Sequence, residues 1–254
     1  MKAPKYPPQQ TLSDRAVLKK TLLAFVLFAL FMSAAWATFK WIRRQPADGG
    51  AVKPLRKSFL FNERVFSAVF DTAQLIKEYP VSKAVKRVRV NGMYGLRDSV
   101  DADVWRLKVV RDSGDTLEIN LNDIRKLPKK DLVFDFKCIE GWDQVTHWGG
   151  VPLRTFLKYY HLDAESKKKY VGLETPDKGY YVGIDMPSAL QPQTLLCYEM
   201  NGAPLPVNQG FPLRLIIPVK YGIKHLKRIG TLFFSDEKPR DYWAERGYDY
   251  YSGH

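Results

Sequence analysis

The sequence predicts an α+β domain, mixed and mostly β, preceded by a single transmembrane helix. Three observations predict it. Residues 21–39 (TLLAFVLFALFMSAAWATF) carry no charge. From residue 59 onward the chain alternates short strand-like runs with turn signals, and few helical periods lie between them. With 45% hydrophobic residues in 254, the chain is long enough to bury one substantial core.

Residues 1–20 are polar and hold Pro4, Pro7 and Pro8, the composition of a disordered tail. Residues 21–39 are long enough to cross the hydrocarbon layer as a helix. They end among Trp36, Trp41, Lys40, Arg43 and Arg44, an interfacial pattern. Ala34, Ala35 and Ala37 leave a cleaved signal peptide open, but the run is long for a signal core, which favours an uncleaved anchor. Lysines and arginines flank both ends, so charge bias does not orient the span. Residues 40–58, with Pro46, Gly49, Gly50 and Pro54, read as a basic linker, and 59–254 as the globular domain.

Within that domain Asn62 is expected to cap a helix that buries Val65, Phe66, Val69 and Ile76 and ends at Pro80. Strands are expected over 85–90, 104–110 and 116–121, the last two joined by Asp112-Ser113-Gly114-Asp115 as a hairpin. Leu132, Phe134, Phe136 and Cys138 alternate with polar neighbours, placing Cys138 at the end of a strand on its apolar face. Gly149-Gly150-Val151-Pro152 turns into a short helix carrying Leu153, Phe156, Leu157 and Tyr160. Further strands are expected over 170–174, 180–184, 195–200, 213–217 and 229–234.

Two cysteines exclude a disulfide scaffold and a Cys-rich zinc site, and the four histidines lack metal-ligand spacing. A net charge of +13 implies an acidic partner: nucleic acid, an anionic membrane or an anionic ligand. The basic residues are dispersed and accompany no nucleic-acid-binding motif, so no nucleic acid is expected. A lone cysteine ending an apolar strand is ordinarily a small buried hydrophobe. Adjacent Lys137 would favour its thiolate, and the Gly141-Trp142 turn puts it where sites are commonly built. Cys197, inside a strand-like run, reads as core, and His147 as an ordinary histidine.

The stretch Phe136-Lys137-Cys138-Ile139-Glu140-Gly141-Trp142, followed by Trp148-Gly149-Gly150-Val151-Pro152-Leu153, resembles the cofactor-ligating segment of the sulfite oxidase-like molybdopterin oxidoreductases. The branch it is most similar to contains the bacterial protein-methionine-sulfoxide reductase catalytic subunit. The resemblance continues through Tyr170-Val171-Gly172-Leu173-Glu174-Thr175, Tyr198-Glu199-Met200-Asn201-Gly202-Ala203-Pro204-Leu205-Pro206 and Gly210-Phe211-Pro212-Leu213-Arg214-Leu215-Ile216-Ile217-Pro218. It ends at Tyr221-Gly222-Ile223-Lys224-His225-Leu226-Lys227. These motifs occur in the family's order over most of 130–232.

The resemblance implies a sulfite oxidase-type fold and a molybdenum–molybdopterin cofactor with Cys138 as the metal ligand. It also implies cofactor contacts at Asn62, Thr175, Gln209, Arg214, His225, Leu226 and Lys227, with Gln209 standing where the family has asparagine. Arg214 suits bidentate phosphate binding, and Lys227 a point charge beside it. For Lys220, Lys224, Lys227 and Arg228 the competing reading is a solvated edge-strand face.

The implied activity is oxygen-atom transfer on a small oxo or sulfur substrate, with sulfoxide reduction favoured over sulfite oxidation. Lys137 is a candidate basic side chain on the substrate's path. Electrons would pass to or from a separate protein such as a membrane cytochrome. The alternative is a membrane-tethered, cofactor-free binding module of the same fold. Likeness to exported relatives favours a periplasmic domain held at a bacterial inner membrane. Ser13-Asp14-Arg15-Ala16-Val17-Leu18-Lys19 resembles a twin-arginine export signal in which Asp14 replaces the first arginine.

Overall fold

The computed structural model describes residues 13–70 and 75–254. Helix α1 (Asp14–Arg43) extends the apolar run at both ends and buries none of its residues. It is therefore longer than residues 21–39, reaching about 45 Å at 1.5 Å per residue. The tail expected over 1–20 is helical from Asp14 onward; residues 1–12 lie outside the described residues. Asp14 in the first turn and Lys40 and Arg43 in the last complement the helix dipole. By length and composition this helix can cross a membrane.

The linker expected over 40–58 is instead folded. Strands β1 (Ala47–Asp48) and β2 (Ala51–Val52) form a hairpin around Gly49 and Gly50. Both glycines have positive φ (+52° and +73°), which a two-residue hairpin turn requires. Helix α2 (Lys53–Val69) follows with Pro54 in its first turn. Asn62 is thus mid-helix and exposed rather than a cap. The chain leaves the helix at Phe70, which is extended, so Ile76 and Pro80 lie beyond it; the expected helix also covers residues 71–74, outside the described residues.

The run 85–90 forms no strand: the Val85 N–H donates to the Val145 carbonyl, and side-chain amides follow rather than a continuing ladder. Gln144 accepts from the Arg89 N–H, Asn201 donates to the Val85 and Lys86 carbonyls, and Gln209 to that of Arg89. Strands β3 (Leu107–Val110) and β4 (Thr116–Ile119) are the expected hairpin across Asp112-Ser113-Gly114-Asp115, and α3 (Leu121–Arg125) follows, capped by Asn120. Next come β5 (Lys130–Lys137), β6 (Asp143–Pro152), α4 (Leu153–Tyr159), β7 (Tyr170–Glu174) and β8 (Tyr181–Asp185). After α5 (Met186–Ala189) the chain forms β9 (Leu195–Met200), β10 (Ala203–Pro204), β11 (Arg214–Ile216) and β12 (Thr231–Ser235).

Two five-stranded sheets result. One runs β10-β9-β6-β5 with β11 also on β9; the other runs β4-β3-β12-β7-β8. Among the described strands only β12 and β3 pair in parallel. A core cluster of Leu107, Val151, Phe156, Leu173, Leu196, Leu215 and Leu232 draws on both sheets. A second cluster (Leu132, Phe134, Trp148, Cys197, Ile216) lies within the first sheet.

Strand β6 has no counterpart in the sequence-based expectation. Buried on both faces from residue 146 to 151, it lacks the alternation that marks a half-buried strand. Gly149-Gly150, expected as a turn, is a bulge against β9. A Cβ on Gly150 would lie 2.3 Å from the Leu196 carbonyl oxygen, so the close approach of β6 to β9 requires glycine there.

Candidate active site

Cys138 follows the last residue of β5 and is 6% exposed. Its N–H donates to the Trp142 carbonyl (2.9 Å) and its carbonyl accepts from Gly141 N–H (3.0 Å), closing a tight loop with Gly141 at φ +86°. That turn ends the strand and leaves the sulfur on the wall of a cavity of about 260 Å³. Gln209, Arg214, His225 and Lys227 line the same cavity. Strand β11 carries Arg214, and the loop after it returns His225 and Lys227 to the same side.

Arg214 is buried with no carboxylate beside it among the described residues. One terminal nitrogen donates to the Gln209 carbonyl (2.9 Å) and side-chain oxygen (3.0 Å), and its plane lies over Trp148 at 4.6 Å. Its Nε has no partner. Burial pushes the guanidinium pKa down to about 10. Lys227 donates to the carbonyls of Asn91 (2.7 Å), Gly92 and Asn208 (both 3.1 Å). Burial, with the Arg214 charge added, lowers its pKa to about 7. Two cations held at a desolvation cost without a counter-ion among the described residues, one with an orphaned donor, fit an anionic group in the cavity.

His225 is neutral, its pKa lowered to about 3 by burial and by Arg214. Its ring nitrogens engage the Lys220 carbonyl (3.1 Å) and the Ile217 N–H (3.4 Å). It shapes the wall beside Phe136, 4.7 Å between ring centroids, rather than offering a free donor.

Three expected contacts do not line the cavity. Asn62 sits on α2, far along an exposed helix face. Thr175 is buried in a turn, its hydroxyl donating to Asp177 (2.6 Å) and accepting from the Tyr180 N–H (3.0 Å). Its Tyr180 partner does line the cavity. Leu226 is a core residue between its two cavity-facing neighbours. Lys137 is exposed on the strand face opposite Cys138 and is not part of the wall.

The solvated-face reading of the basic residues is overturned. Lys220 and Lys224 are buried on Asp185 (2.6 Å) and Asp241 (2.5 Å), and Arg228 is buried on the Asp98 and Phe211 carbonyls. Cys197 is wholly buried, its thiol pushed up to about 12 by burial. His147 pairs with Asp131 (3.0 Å) and lies outside the cavity wall.

The residues missed in the sequence are Asn91, Arg89 and the aromatic wall. Asn91 Nδ2 reaches Cys138 Sγ (3.6 Å) and Glu140 (3.1 Å). Arg89 lies over Trp142 at 4.8 Å. Tyr94, Tyr180, Trp243 and Tyr248 complete the wall. The available signal was Asn91-Gly92, a turn dipeptide following a basic run.

The family profile described as "Oxidoreductase molybdopterin binding domain" matches residues 94–243. The putative protein-methionine-sulfoxide reductase subunit YedZ1 of Azospira oryzae is 38% identical over 195 residues, 76% of this chain and 73% of that protein. The protein-methionine-sulfoxide reductase catalytic subunit MsrP of Campylobacter jejuni is 29% identical over 174 residues, 62% of this chain and 59% of its own. MsrP of Xanthomonas axonopodis is 32% identical over 154 residues, 56% and 48% respectively. The chain therefore spans about half the length of these MsrP relatives. The crystal structure of the sulfane dehydrogenase SoxCD from Paracoccus pantotrophus superposes with a TM-score of 0.50 at 18% identity. It covers 66% of this chain and 46% of that one, a likeness of fold. A Cys-walled, cation-lined cavity between β5 and β11, whose Cys138, Arg214 and Lys227 lie inside the matched span, makes the family assignment physically coherent: the chain belongs to the molybdopterin-binding, sulfite oxidase-like oxidoreductases.

Proposed function

We propose that this chain is the catalytic part of a membrane-anchored sulfoxide reductase. The observation that carries the reading is the shared cavity: Cys138 sulfur on one wall, and on another the buried, acid-free Arg214 with its unpartnered Nε. Cys138 would hold molybdenum as thiolate, a soft ligand suited to a metal already bound by dithiolene sulfurs. Arg214 and Lys227 would hold the pterin's phosphate, and Gln209 would keep the Arg214 fork aimed. When bound, the cofactor supplies two-electron oxygen-atom transfer.

The chain's own residues bind, orient and exclude water. Phe136, Trp142, Trp148 and Tyr180 give the cavity an apolar lining that strengthens every charged contact inside it. Asn91 donates to the Cys138 sulfur and so fixes its direction. Reduction of a sulfoxide consumes two electrons and two protons and releases thioether and water. The relatives named as methionine-sulfoxide reductases support that substrate class. The electrons would come from a separate redox protein, of which a membrane cytochrome is the expected kind. Helix α1 would hold the enzyme near that donor, with the domain on the periplasmic side.

The test is to purify the protein with its cofactor, measure molybdenum and pterin, and assay both directions. Reduced dye with methionine sulfoxide should be turned over; sulfite with an artificial acceptor should not. Turnover of sulfite alone would reverse the direction. Protease added to spheroplasts, whose outer membrane is opened, should degrade a periplasmic domain and spare a cytoplasmic one.

A further inference from the structure

Helix α2 (Lys53–Val69) buries no residue although it follows α1 after only the short β1–β2 hairpin and packs on the domain. Its inner side is held by Arg56, whose guanidinium donates to the carbonyls of Asp48 (3.0 Å), Ala244 (2.8 Å) and Tyr248 (3.2 Å). Glu63 meets Lys238 on that side, and the Phe66 ring stacks 6.1 Å from Tyr251. At 100° per residue, Phe61, Val65 and Val69 fall on the side turned away from those contacts. They are 63%, 45% and 72% exposed. Beside them runs an exposed stripe of Lys53, Lys57 and Arg64, with no acid on that side of the helix.

A large apolar stripe flanked by cations is the pattern of a helix lying in a membrane interface. Continuity says which surface is within reach. Only residues 44–52 separate the end of α1 from the start of α2, at most about 30 Å of extended chain, and the β1–β2 hairpin shortens it. The last turns of α1 are themselves basic and aromatic, with Lys40 over Trp36 at 4.6 Å.

We propose that α2 is a second membrane contact, seated in the headgroup layer of an anionic leaflet. Phe61, Val65 and Val69 dip toward the acyl chains, and Lys53, Lys57 and Arg64 rest on lipid phosphates. This rests on α1 being a membrane anchor. The seating has a consequence for the site. Arg56 binds α2 to the segment 244–248, next to Trp243 and including Tyr248, both of which wall the cavity. Two points of contact, a span and an interfacial helix, would fix how the cavity faces a membrane-bound electron donor.

The experiment places a photoreactive benzoylphenylalanine at Phe61, Val65 or Val69 of the full chain in phosphatidylglycerol-containing vesicles. A control carries it at Ser113, on the β3–β4 turn. Alkaline carbonate extraction of the same vesicles tests the anchor independently. Expected is label transfer to lipid from the α2 positions severalfold above Ser113, cut severalfold by the K53E/K57E/R64E triple variant while carbonate resistance persists. Carbonate-resistant protein with no α2 label on lipid overturns the seating and leaves the anchor standing. Release by carbonate overturns the anchor. In native membranes, label captured by a protein in place of lipid also overturns the proposal, because a partner chain then covers this face.

Discussion

Replacing Arg214 with methionine separates a ligand-binding role from a structural one. The substitution keeps an unbranched, flexible side chain, shorter than arginine's, and removes a charge that is 2% exposed. Burial lowers the guanidinium pKa from 12.5 to about 10, so holding the charge without an anion costs roughly 3 kcal/mol at neutral pH, at about 1.4 kcal/mol per pKa unit. Methionine relieves that cost. It forfeits the hydrogen bonds to Gln209, about 1.5–3 kcal/mol, and the stack on Trp148, about 1 kcal/mol. These terms offset, so the cofactor-free variant should melt close to the parent. With the phosphate present the balance changes, because a charged contact worth about 1.5–3 kcal/mol is absent, roughly ten- to a hundredfold in affinity. The assay is molybdenum and pterin per chain by elemental and fluorescence analysis, beside thermal melts of cofactor-free protein. Undiminished occupancy would refute the phosphate role. Loss of occupancy together with a collapsed melt would show that Arg214 is structural.

The other expectations concern the remaining site and its supports. Cys138→Ser should abolish turnover while the cofactor-free fold survives, whereas Cys197→Ser should keep activity and cost about 1 kcal/mol in a denaturant titration, its hydroxyl still able to donate to Glu199. Lys227 has its folded-state pKa lowered to about 7 from 10.5. Between those values the unfolded chain binds the proton the folded one has released, so cofactor-free stability should rise with pH across that window. Rebinding an anion recovers that proton, so cofactor affinity should fall by up to about tenfold per unit above pH 7, a slope that Lys227→Met should flatten. Asp241→Asn strands buried Lys224 and should cost about 3–5 kcal/mol in a melt; the Lys224→Met/Asp241→Leu pair should restore only part of it, because the Ala244 and Gly183 N–H groups still lose their acceptor. Deleting residues 1–44, which spares the hairpin and Arg56, should give soluble folded protein; insoluble product would make α1 part of the fold.

What was legible in the sequence follows local chemistry. Strands β7 and β9 fall at the expected residues because each is an apolar run bounded by turn signals, and Asp112-Ser113-Gly114-Asp115 sufficed for the β3–β4 turn. The end of β5 could be read from alternation, and Cys138 with it. Strand β6 could not: His147-Trp148-Gly149-Gly150 has no period, and its pairing with β9 depends on contacts fifty residues away. The run 85–90 has strand propensity, yet Gln144, Asn201 and Gln209 satisfy its backbone, and no local signal foretells that. Asn91 lies outside the expected site for the same reason; Asn62 reads as a cap because an asparagine precedes an apolar run, and its place among the cofactor contacts comes only from the family resemblance. Lys220 and Lys224 read as surface charge because Asp185 and Asp241, which neutralise them, are distant in sequence.

X-ray absorption at the molybdenum edge, on purified protein and on Cys138→Ser loaded with the same cofactor, tests whether Cys138 ligates the metal. Cys138 lies on the cavity wall with Asn91 donating to its sulfur, so the variant should lose one sulfur scatterer from the metal's shell. An identical sulfur shell in both proteins would contradict it.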